Sequence, residues 1–322
     1  MTATYRAMLC RRLGPPDVLE PADLPRPALR PGELRIAVQA AGVNFPDLLQ
    51  VAGDYQHKPP LPFVPGFEAA GEIIETGAAV SDWQPGQAVI VRTRGGGYAD
   101  EIVATADMLL PKPAAWSWAE AAAFPVAAAT AWVALVPRGR LTAGETLLVL
   151  GAGGGTGLAA VALGHRLGAQ VVAVASSPEK RAAAQAAGAV RCIDPAEAGW
   201  ENTLQADAVF DPVGGALFAT AWKALAPGGR WLVVGFAGGT PPRPPANRLL
   251  LKQAELIGVR AGEQGRRDPA AGQRLQAALT EILVGGEMRP QLGETYRLAQ
   301  AAAALQALAG RRAVGKLVLR RR

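Results

Sequence analysis

The chain has 322 residues, half of them hydrophobic, and its 33 lysines and arginines against 27 aspartates and glutamates give a formal net charge of +6. This length is typical of two domains, and the apolar fraction is ample for their cores. The basic residues are scattered apart from the tail Arg320-Arg321-Arg322, so the charge favours a solvated face over nucleic-acid binding. Two cysteines, Cys10 and Cys192, lie far apart in the sequence, which is typical of a reducing compartment and of a chain without a disulfide framework.

The longest apolar stretch, 121–136, is short, rich in alanine and interrupted by Pro125 and Thr130. A membrane-spanning helix needs about 20 strongly apolar residues. The N-terminus also lacks the apolar core of a signal peptide. We therefore expect no membrane span and a cytoplasmic location.

Short strands separated by proline and glycine are predicted in the first third of the chain, at 6–13, 33–41, 69–76, 87–92 and 98–104. From about residue 119, helices and buried strands alternate. The strands are predicted at 146–150, 170–175, 190–193, 207–211, 230–235 and 255–259, and the helices at 156–167, 178–187 and 215–225. This alternation predicts an α/β fold with a doubly wound parallel sheet. Helices at 270–284 and 299–309 and a strand at 314–319 follow.

The most informative stretch is 146–157, Thr-Leu-Leu-Val-Leu-Gly-Ala-Gly-Gly-Gly-Thr-Gly. A buried strand, a glycine turn and a helix in this order build a dinucleotide site. Ala152, Gly154 and Gly157 occupy the three fingerprint positions, with alanine in place of the first glycine. Small residues there let the backbone approach a pyrophosphate, and the start of the helix, with Gly155 and Thr156, offers free N–H groups. A glycine-rich turn without a ligand is the plainer alternative.

The end of the second strand of this unit indicates which dinucleotide binds. An NAD site usually has a carboxylate there for the ribose 2′-hydroxyl. Here Ser176, Ser177, Lys180 and Arg181 offer hydroxyls and cations, which favours the 2′-phosphate of NADPH. In the plainer reading Ser177 only caps a helix, and both can hold at once. The segment Ile193-Asp194-Pro195, with its carboxylate, weakens the preference for NADPH slightly.

Six motifs resemble those of one enzyme family. They are 40–47 (Ala-Ala-Gly-Val-Asn-Phe-Pro-Asp), 64–71 (Val-Pro-Gly-Phe-Glu-Ala-Ala-Gly), 95–99 (Gly-Gly-Gly-Tyr-Ala), the turn 151–157, 211–215 (Asp-Pro-Val-Gly-Gly), and Arg311 followed by Gly315-Lys316. Over nearly its whole length the chain resembles the zinc-free medium-chain dehydrogenases/reductases of the quinone oxidoreductase (zeta-crystallin-like) type.

The resemblance implies a GroES-like β-barrel catalytic domain at 1–123 and 264–322, with a Rossmann NADPH-binding domain at 124–263 and the active site in the cleft. It also implies a homodimer or homotetramer, often joined by pairing of the last Rossmann strand near Ile257.

Zinc-dependent relatives carry cysteine at the position of Asn44 and histidine at the position of Phe67. Neither residue here can replace those ligands. His57 and His165 are the two histidines, and no close cysteine pair exists. We therefore expect no metal, because a tetrahedral zinc site lacks its usual nitrogen and sulfur ligands.

Without zinc, hydride delivery to an electron-poor acceptor is the expected chemistry, since the cofactor carries the hard step. A quinone or an α,β-unsaturated carbonyl accepts hydride without metal polarisation, and its developing oxyanion needs a hydrogen-bond donor or solvent. By resemblance, Asn44 lies near the nicotinamide and its ribose; alternatively it caps the helix that starts at Pro46-Asp47. Tyr55 matches a proton-donating tyrosine of related enoyl-thioester reductases, or it is a loop tyrosine packed over the cleft mouth.

Further residues are assigned to the site with plainer alternatives beside them. Phe67 is predicted to line the acceptor pocket, unless it only packs in a core. Arg260 suits an anionic acceptor such as an acyl-CoA thioester, or it is a solvated charge at a dimer edge. The remaining candidates for cofactor binding are Thr130, Phe236, Ala237 and Arg311.

The leading hypothesis is an NADPH-dependent reductase of a quinone or enone. An enoyl-thioester reductase of the same fold is the alternative, and a basic patch near the pocket mouth would favour it. A non-catalytic NADPH-binding protein that also binds RNA is the alternative from another class. Its support is the positive charge and the basic tail.

Overall fold

The computed structural model describes residues 3–321 of the chain. Its strands are β1 (Thr4–Cys10), β2 (Leu19–Pro25), β3 (Glu33–Gly42), β4 (Glu68–Thr76), β5 (Ala88–Arg92), β6 (Glu101–Thr105), β7 (Leu109–Pro111), β8 (Thr146–Leu150), β9 (Gln170–Val174), β10 (Arg191–Ile193), β11 (Ala206–Asp211), β12 (Leu225–Val233), β13 (Glu255–Gly258), β14 (Leu292–Arg297) and β15 (Lys316–Arg320). Its helices are α1 (Phe45–Ala52), α2 (Trp118–Ala123), α3 (Pro125–Val133), α4 (Gly155–Arg166), α5 (Pro178–Ala186), α6 (Gly215–Ala221), α7 (Ala246–Lys252), α8 (Gln264–Arg267), α9 (Pro269–Gly285) and α10 (Ala301–Ala309).

The chain divides into two compact units. The first joins the chain up to Val126 with the chain from Leu292 onwards, and the second is Ala127–Gln291. The sequence-based boundary at residue 264 differs from this division, because helix α9 belongs to the second unit. Arg166 of α4 holds that helix through an ion pair of 3.2 Å to Glu281.

The second unit contains a six-stranded parallel sheet in the order β10-β9-β8-β11-β12-β13. Residues Leu147 to Leu150 of the central strand β8 are fully buried, as expected for a parallel strand covered on both faces. Strands β9 and β11 flank β8 on its two sides, so the chain order reverses there, and ligands bind at such a switch point.

The first unit is built on a seven-stranded sheet in the order β14-β15-β3-β4-β5-β7, with β6 also paired to β3. All of these pairings are antiparallel except β14 with β15. Strand β15, from the C-terminal part of the chain, pairs with β3 so that Val318 lies opposite Gly42. This pairing brings Lys316 to the junction of β3 and α1. The predicted combination of a GroES-like unit with a Rossmann-type parallel sheet is confirmed.

The helical stretch Trp118–Arg138 is the single one, among residues 3–321, that is long and apolar enough to cross a membrane by length and composition. It is a run of α2, α3 and a π-helical turn at 134–138. Within the protein, 72% of its most apolar window is buried, as in the core helix of a folded domain. Ser117 caps its start, because the Ser117 hydroxyl accepts from the Glu120 amide at 3.2 Å and the Glu120 carboxylate accepts from the Ser117 amide at 2.7 Å.

Candidate functional site

The glycine turn of the second unit joins β8 directly to α4. Gly151 has φ +62°, and Ala152 is fully buried. A Cβ on Gly157 would overlap the Gly151 carbonyl oxygen and come within 2.8 Å of the Ala152 Cα. Only glycine therefore lets the first turn of α4 pack this closely on the end of β8, as the fingerprint requires.

The turn is open at Gly154, the residue before the first turn of α4. A Cβ built on Gly154 would meet only the Gly151 carbonyl oxygen, at 3.7 Å. The first amides of α4, at Gly155, Thr156 and Gly157, have no acceptor within their own helix and lie at its positive end. This combination of free space and N–H groups fits a pyrophosphate.

Lys180 lies against the same turn. A Cβ built on Gly153 would come within 2.5 Å of the Lys180 Cγ, so the aliphatic part of the lysine covers the glycine. Burial lowers the pKa of Lys180. Ser177 caps α5, because its hydroxyl accepts from the Lys180 amide at 3.3 Å. The capping role proposed for Ser177 is therefore present, and Ser176 beside it is exposed.

Part of the Arg181 guanidinium is already hydrogen-bonded within the protein. Its Nη1 donates to the Asp194 carboxylate at 2.9 Å and to the Ala175 carbonyl oxygen at 3.0 Å. Asp194, whose carboxylate weakens the predicted preference for NADPH, therefore binds Arg181, which is the arginine predicted to bind the 2′-phosphate. The remaining guanidinium N–H groups can still donate to a ligand.

Two loops meet beyond the carboxyl ends of β11 and β12. Asp211 is fully buried and accepts from the amides of Val213 (2.8 Å) and Gly214 (2.7 Å) and from the Trp231 indole (3.1 Å). Burial raises the pKa of Asp211. The Ala237 amide donates to the Pro212 carbonyl oxygen at 3.0 Å, which ties the two loops together. Phe236 is 40% exposed in the loop after β12, where the sequence predicts that the nicotinamide binds.

In the first unit, Asn44 is the centre of a buried polar network. Its Oδ1 accepts from the Lys316 ammonium. Its Nδ2 donates to Glu68 Oε1 at 2.9 Å, and Lys316 Nζ is 2.6 Å from that same oxygen. Glu68 Oε2 accepts from the Val126 amide at 2.7 Å. Asn44, Glu68 and Lys316, hereafter the Asn44 network, are each at most 5% exposed.

Asp47 joins this region to the start of α1. Its carboxylate accepts from the Asn44 amide (2.8 Å), the Tyr98 hydroxyl (2.9 Å) and the Gly66 amide (3.2 Å). The burial of Asp47 outweighs these donors and raises the pKa of its carboxyl to about 7. Burial and the Asp47 carboxylate raise the pKa of Tyr98 well above its usual value. The cap of α1 is thus carried by Asp47, while the Asn44 side chain serves the network.

Tyr55 and Phe67 lie together, as the pocket prediction requires. Their ring centroids are 5.5 Å apart with an edge-to-face angle of 82°. Both side chains are half-buried, so an apolar ligand surface can reach them.

The other predicted residues lie elsewhere in the two units. Thr130 is in α3, and Arg311 is exposed at the end of α10 with φ +55°. Arg260 is paired with Glu263 at 3.3 Å. Their roles stay predictions.

Glu68, Lys316 and Tyr98 were inside recognised motifs without an assigned role. Their roles can be recognised only from contacts in the folded chain, because 272 residues separate Asn44 from Lys316 in the sequence.

The zinc site of related enzymes does not fit these residues. The Lys316 ammonium occupies the oxygens of Asn44 and Glu68 that a cation would need, and Phe67 offers no ligand atom. Among residues 3–321 no group of three or more histidine, cysteine or carboxylate side chains could hold a metal.

Two family models match the chain. Residues 30–114 match the alcohol dehydrogenase GroES-like domain, and residues 155–276 match the family described as zinc-binding dehydrogenase. Together they cover most of the two units, and the second match includes the start of α4.

Relatives match over nearly the full length. The quinone oxidoreductase-like protein 2 of Bos taurus is 37% identical over 98% of this chain and 92% of its own. A Pseudomonas syringae quinone oxidoreductase has a TM-score of 0.89 at 27% identity, covering 98% of this chain and 99% of that one. A mycobacterial protein solved with NADPH has a TM-score of 0.89 at 29% identity over 98% and 99%. The chain therefore belongs to the medium-chain dehydrogenase/reductase family, as an oxidoreductase similar to the quinone oxidoreductase-like proteins.

Proposed function

We propose that the protein transfers hydride from NADPH to a quinone or an α,β-unsaturated carbonyl without the help of zinc. The observation that carries this proposal is the glycine turn, which is open at Gly154 and covered by Lys180 at Gly153. It is supported by the absence of a carboxylate at the end of β9, where Ser176 and Ser177 stand. The names of the similar proteins agree with this acceptor class.

The nicotinamide, when bound, supplies the hydride. A quinone takes that hydride and one proton and becomes a hydroquinone, while an enone takes the hydride at its β-carbon and a proton at its α-carbon. The protein has to position the acceptor, exclude water and stabilise the oxyanion that develops. The Tyr55–Phe67 pair offers an apolar surface for a planar acceptor, and the Tyr55 hydroxyl can donate to an oxygen.

Most of the residues proposed to hold NADPH are in the second unit. The amides of Gly155, Thr156 and Gly157 would bind the pyrophosphate. Ser176, Lys180 and the free part of the Arg181 guanidinium would bind the 2′-phosphate, and charge-assisted bonds of this kind distinguish NADPH from NADH. Phe236 and Ala237 would lie beside the nicotinamide. Asn44, Thr130 and Arg311 stay candidates for the rest of the cofactor.

The test is NADPH consumption by the purified protein with a small quinone, with NADH as the cofactor control and metal content measured on the same sample. We expect turnover with NADPH, at least tenfold lower kcat/KM with NADH, and no stoichiometric zinc. Equal use of both cofactors would remove the 2′-phosphate assignment. Stoichiometric zinc, or activity abolished by a chelator, would contradict the metal-free chemistry.

An enoyl-thioester reductase is the second candidate, and the position of Tyr55 on the ring of Phe67 favours it, because protonation at carbon needs a placed acid. Tyr55→Phe keeps the edge-to-face packing and removes the proton. If Tyr55 is that acid, turnover of an enoyl thioester should fall by about 10²-fold or more, while quinone reduction, in which the Tyr55 hydroxyl gives only a hydrogen bond to an oxygen, should fall much less. Unchanged turnover of the thioester would exclude Tyr55 as the acid.

We also propose that the protein is a homodimer or homotetramer. Strand β13 is the edge of its sheet, and Leu250 and Leu251 of the adjacent α7 are 77% and 78% exposed. An unpaired edge beside exposed leucines is a surface that a second copy can cover. Sedimentation velocity of the wild-type chain and of Leu251→Asp should give an oligomer and a smaller species respectively. A monomeric wild type would contradict this assembly.

A further inference from the structure

A cavity of about 550 Å³ lies in the first unit, where α2 begins and β15 ends. Its volume is within the range of small-molecule sites. It is lined by Gln39 and Ala40 of β3, by residues 117–119 at the start of α2, and by Arg320 and Arg321 at the end of β15. None of these residues belongs to the glycine turn, to the Asn44 network or to the Tyr55–Phe67 pair.

The packing of α2 on the sheet explains why space is left there. At Gly42 the helix and the sheet are in close contact, because a Cβ on Gly42 would come within 2.7 Å of the Ala122 carbonyl oxygen. Two residues before Gly42 the strand has Ala40, and nearly one turn before Ala122 the helix has Ala119. Both alanines are buried, and their side chains are too short to fill the gap between the two backbones.

Arg320 places the cavity relative to the Asn44 network. It lies directly opposite Ala40 in the β15–β3 pair, and side chains alternate along a strand, so Arg320 is on the face of β15 that carries Lys316. The four residues from Lys316 to Arg320 span roughly 13 Å at the usual rise of an antiparallel strand. The cavity is therefore a separate site on the same face of the sheet.

Cations surround this cavity. Arg320 and Arg321 are both exposed, and Arg297 of β14 is the neighbour of Arg320 in the β14–β15 pair. The Lys112 ammonium lies 4.9 Å from the centre of the Trp118 ring. Like charges held this close to one another attract a counter-ion.

Two carboxylates lie near these cations, and each already has a partner. Asp100 is 3.6 Å from Arg321 at the closest approach of their charged groups, which is too long for a hydrogen bond. Glu120 accepts from the Ser117 amide at 2.7 Å and so belongs to the cap of α2. The positive charge at the cavity therefore exceeds the negative charge around it.

We propose that this cavity binds a nucleotide, with its base on the indole of Trp118 and its phosphate on the guanidinium groups of Arg320 and Arg321. Every base has a flat π-face that stacks on an aromatic side chain. A guanidinium binds a phosphate with two parallel hydrogen bonds. Trp118 is half-buried, so its ring is held by the protein while part of it stays accessible. This proposal does not depend on the proposed hydride transfer.

The probe is AMP, titrated calorimetrically into the full-length protein, with adenosine and ribose 5-phosphate as fragments that lack the phosphate or the base. We expect a dissociation constant below about 1 mM for AMP and at least tenfold weaker binding of each fragment. AMP is also part of NADPH, so the titration is repeated with saturating NADPH, and one AMP should remain bound. Loss of all AMP binding under that condition would assign it to the cofactor site and overturn the proposal.

Three substitutions locate the bound AMP. Arg320→Gln should weaken its binding about tenfold or more, through loss of the phosphate contact. Trp118→Leu should weaken it about fivefold or more, whereas Trp118→Phe, which keeps a stacking ring, should recover most of that loss. The control is Arg312→Gln, an exposed arginine before β15 with the same change in charge, and it should stay within about twofold of wild type.

Melting temperatures of the unliganded variants show whether each one folds. Arg320 is exposed, so Arg320→Gln should keep the wild-type melting temperature, and it tests the site even if Trp118→Leu does not fold. No binding of AMP to wild type up to about 5 mM would overturn the proposal. Equal affinity in Arg320→Gln, Arg312→Gln and wild type would overturn it as well.

The nucleotide can be a free molecule or the nucleotide end of coenzyme A. Titration of adenosine 3′,5′-bisphosphate and of coenzyme A, each with saturating NADPH, separates these sources. Equal affinities would show that the cavity leaves the 5′-phosphate open to a longer chain, as a carrier requires. At least tenfold weaker binding of coenzyme A would show that the cavity accepts only the free nucleotide. In either case Arg320→Gln should weaken the binding of the bisphosphate, and no change in that variant would contradict the site.

Discussion

The two candidate sites of this protein are built in different ways. The glycine turn between β8 and α4 is made of backbone, from residues that are adjacent in the sequence, 151–157. The Asn44 network is made of side chains from the junction of β3 and α1, from β4 and from β15, and its ends are 272 residues apart. The turn depends on residues that are small, whereas the network depends on residues whose charges and hydrogen bonds match.

This difference predicts opposite responses to substitution. In the turn, an added methyl group should act by steric overlap. Its effect should therefore depend on which atoms lie next to the new Cβ. In the network, loss of one group should leave another buried without its partner, and the effect should depend on charge. Each of the following predictions tests one side of this contrast.

Lys316→Met should give the largest effect. It leaves Glu68, which is fully buried, without its cation, and breaking a buried pair in this way costs about 3–5 kcal/mol. Adding Glu68→Gln should recover part of that loss, because the glutamine is neutral and can still accept from the Val126 amide. Urea unfolding of the two single variants and the double variant gives the coupling energy.

The matched control for this cycle is an exposed pair. Arg140 and Glu255 are paired with side chains 56% and 50% exposed, so Arg140→Met should cost at most about 1 kcal/mol. A loss in Lys316→Met no larger than in Arg140→Met would show that the Asn44 network does not behave as a buried ion pair.

The sequence predicted the turn and not the network, for a physical reason. Strand, glycine turn and helix are local patterns, so 146–157 was assigned in full and the α/β class followed. Asn44 was singled out, but its side chain was expected to face the cofactor or to cap α1. The partners that decide its role, Glu68 and Lys316, are brought to it by the pairing of β15 with β3 and of β3 with β4. No local periodicity in the sequence encodes the register of these strand pairs.

The same limit explains the elements that were missed. Strands β2, β7 and β14 have no clear alternation of polar and apolar residues, since each contains proline or exposed polar residues. They are strands because β1, β5 and β15 pair with them. Tertiary pairing overrides a weak local preference in such segments.

Asp47 should make stability depend on pH. The pKa of its carboxyl is raised from 3.8 to about 7 in the folded protein, so between these values the native state holds a proton that the unfolded chain has released. The free energy of unfolding should therefore fall as pH rises from 4 to 7, by up to about 4 kcal/mol from this group.

Asp47→Asn should remove this dependence. The variant can keep the bonds from the Asn44 amide and the Tyr98 hydroxyl and lose only the longer one from the Gly66 amide. The quantity to measure is the unfolding free energy of wild type minus that of Asp47→Asn between pH 4.5 and 8. It should decrease with pH, while the same difference for the exposed Asp17→Asn should stay constant. A flat difference for Asp47→Asn would contradict the raised pKa.

Two alanine substitutions in the turn should separate packing from ligand binding. Gly157→Ala puts a methyl group against the Gly151 carbonyl oxygen and 2.8 Å from the Ala152 Cα, and such overpacking costs about 1–3 kcal/mol. Gly154→Ala meets nothing closer than 3.7 Å, so the free protein should keep its melting temperature. Its NADPH affinity should nevertheless fall about tenfold or more, as expected for a disturbed bond to a charged phosphate. Unchanged affinity in Gly154→Ala would mean that the pyrophosphate does not lie there.

Asp194→Asn should give the smallest effect, and it tests whether a side chain adjusts the site that the backbone builds. The asparagine keeps an acceptor for the Ala196 amide, which now donates to Asp194 Oδ1 at 2.9 Å. It also releases Arg181 from a pair whose side chains are 24% and 37% exposed. A partly exposed pair is worth at most about 1 kcal/mol, so the ratio of NADPH to NADH affinity should rise roughly two- to fivefold. Titration of both cofactors measures the ratio, with the exposed Glu197→Gln as the control for a change in net charge. An equal rise in both variants would attribute the preference to the overall field, whereas a rise in Asp194→Asn alone would place Arg181 on the 2′-phosphate.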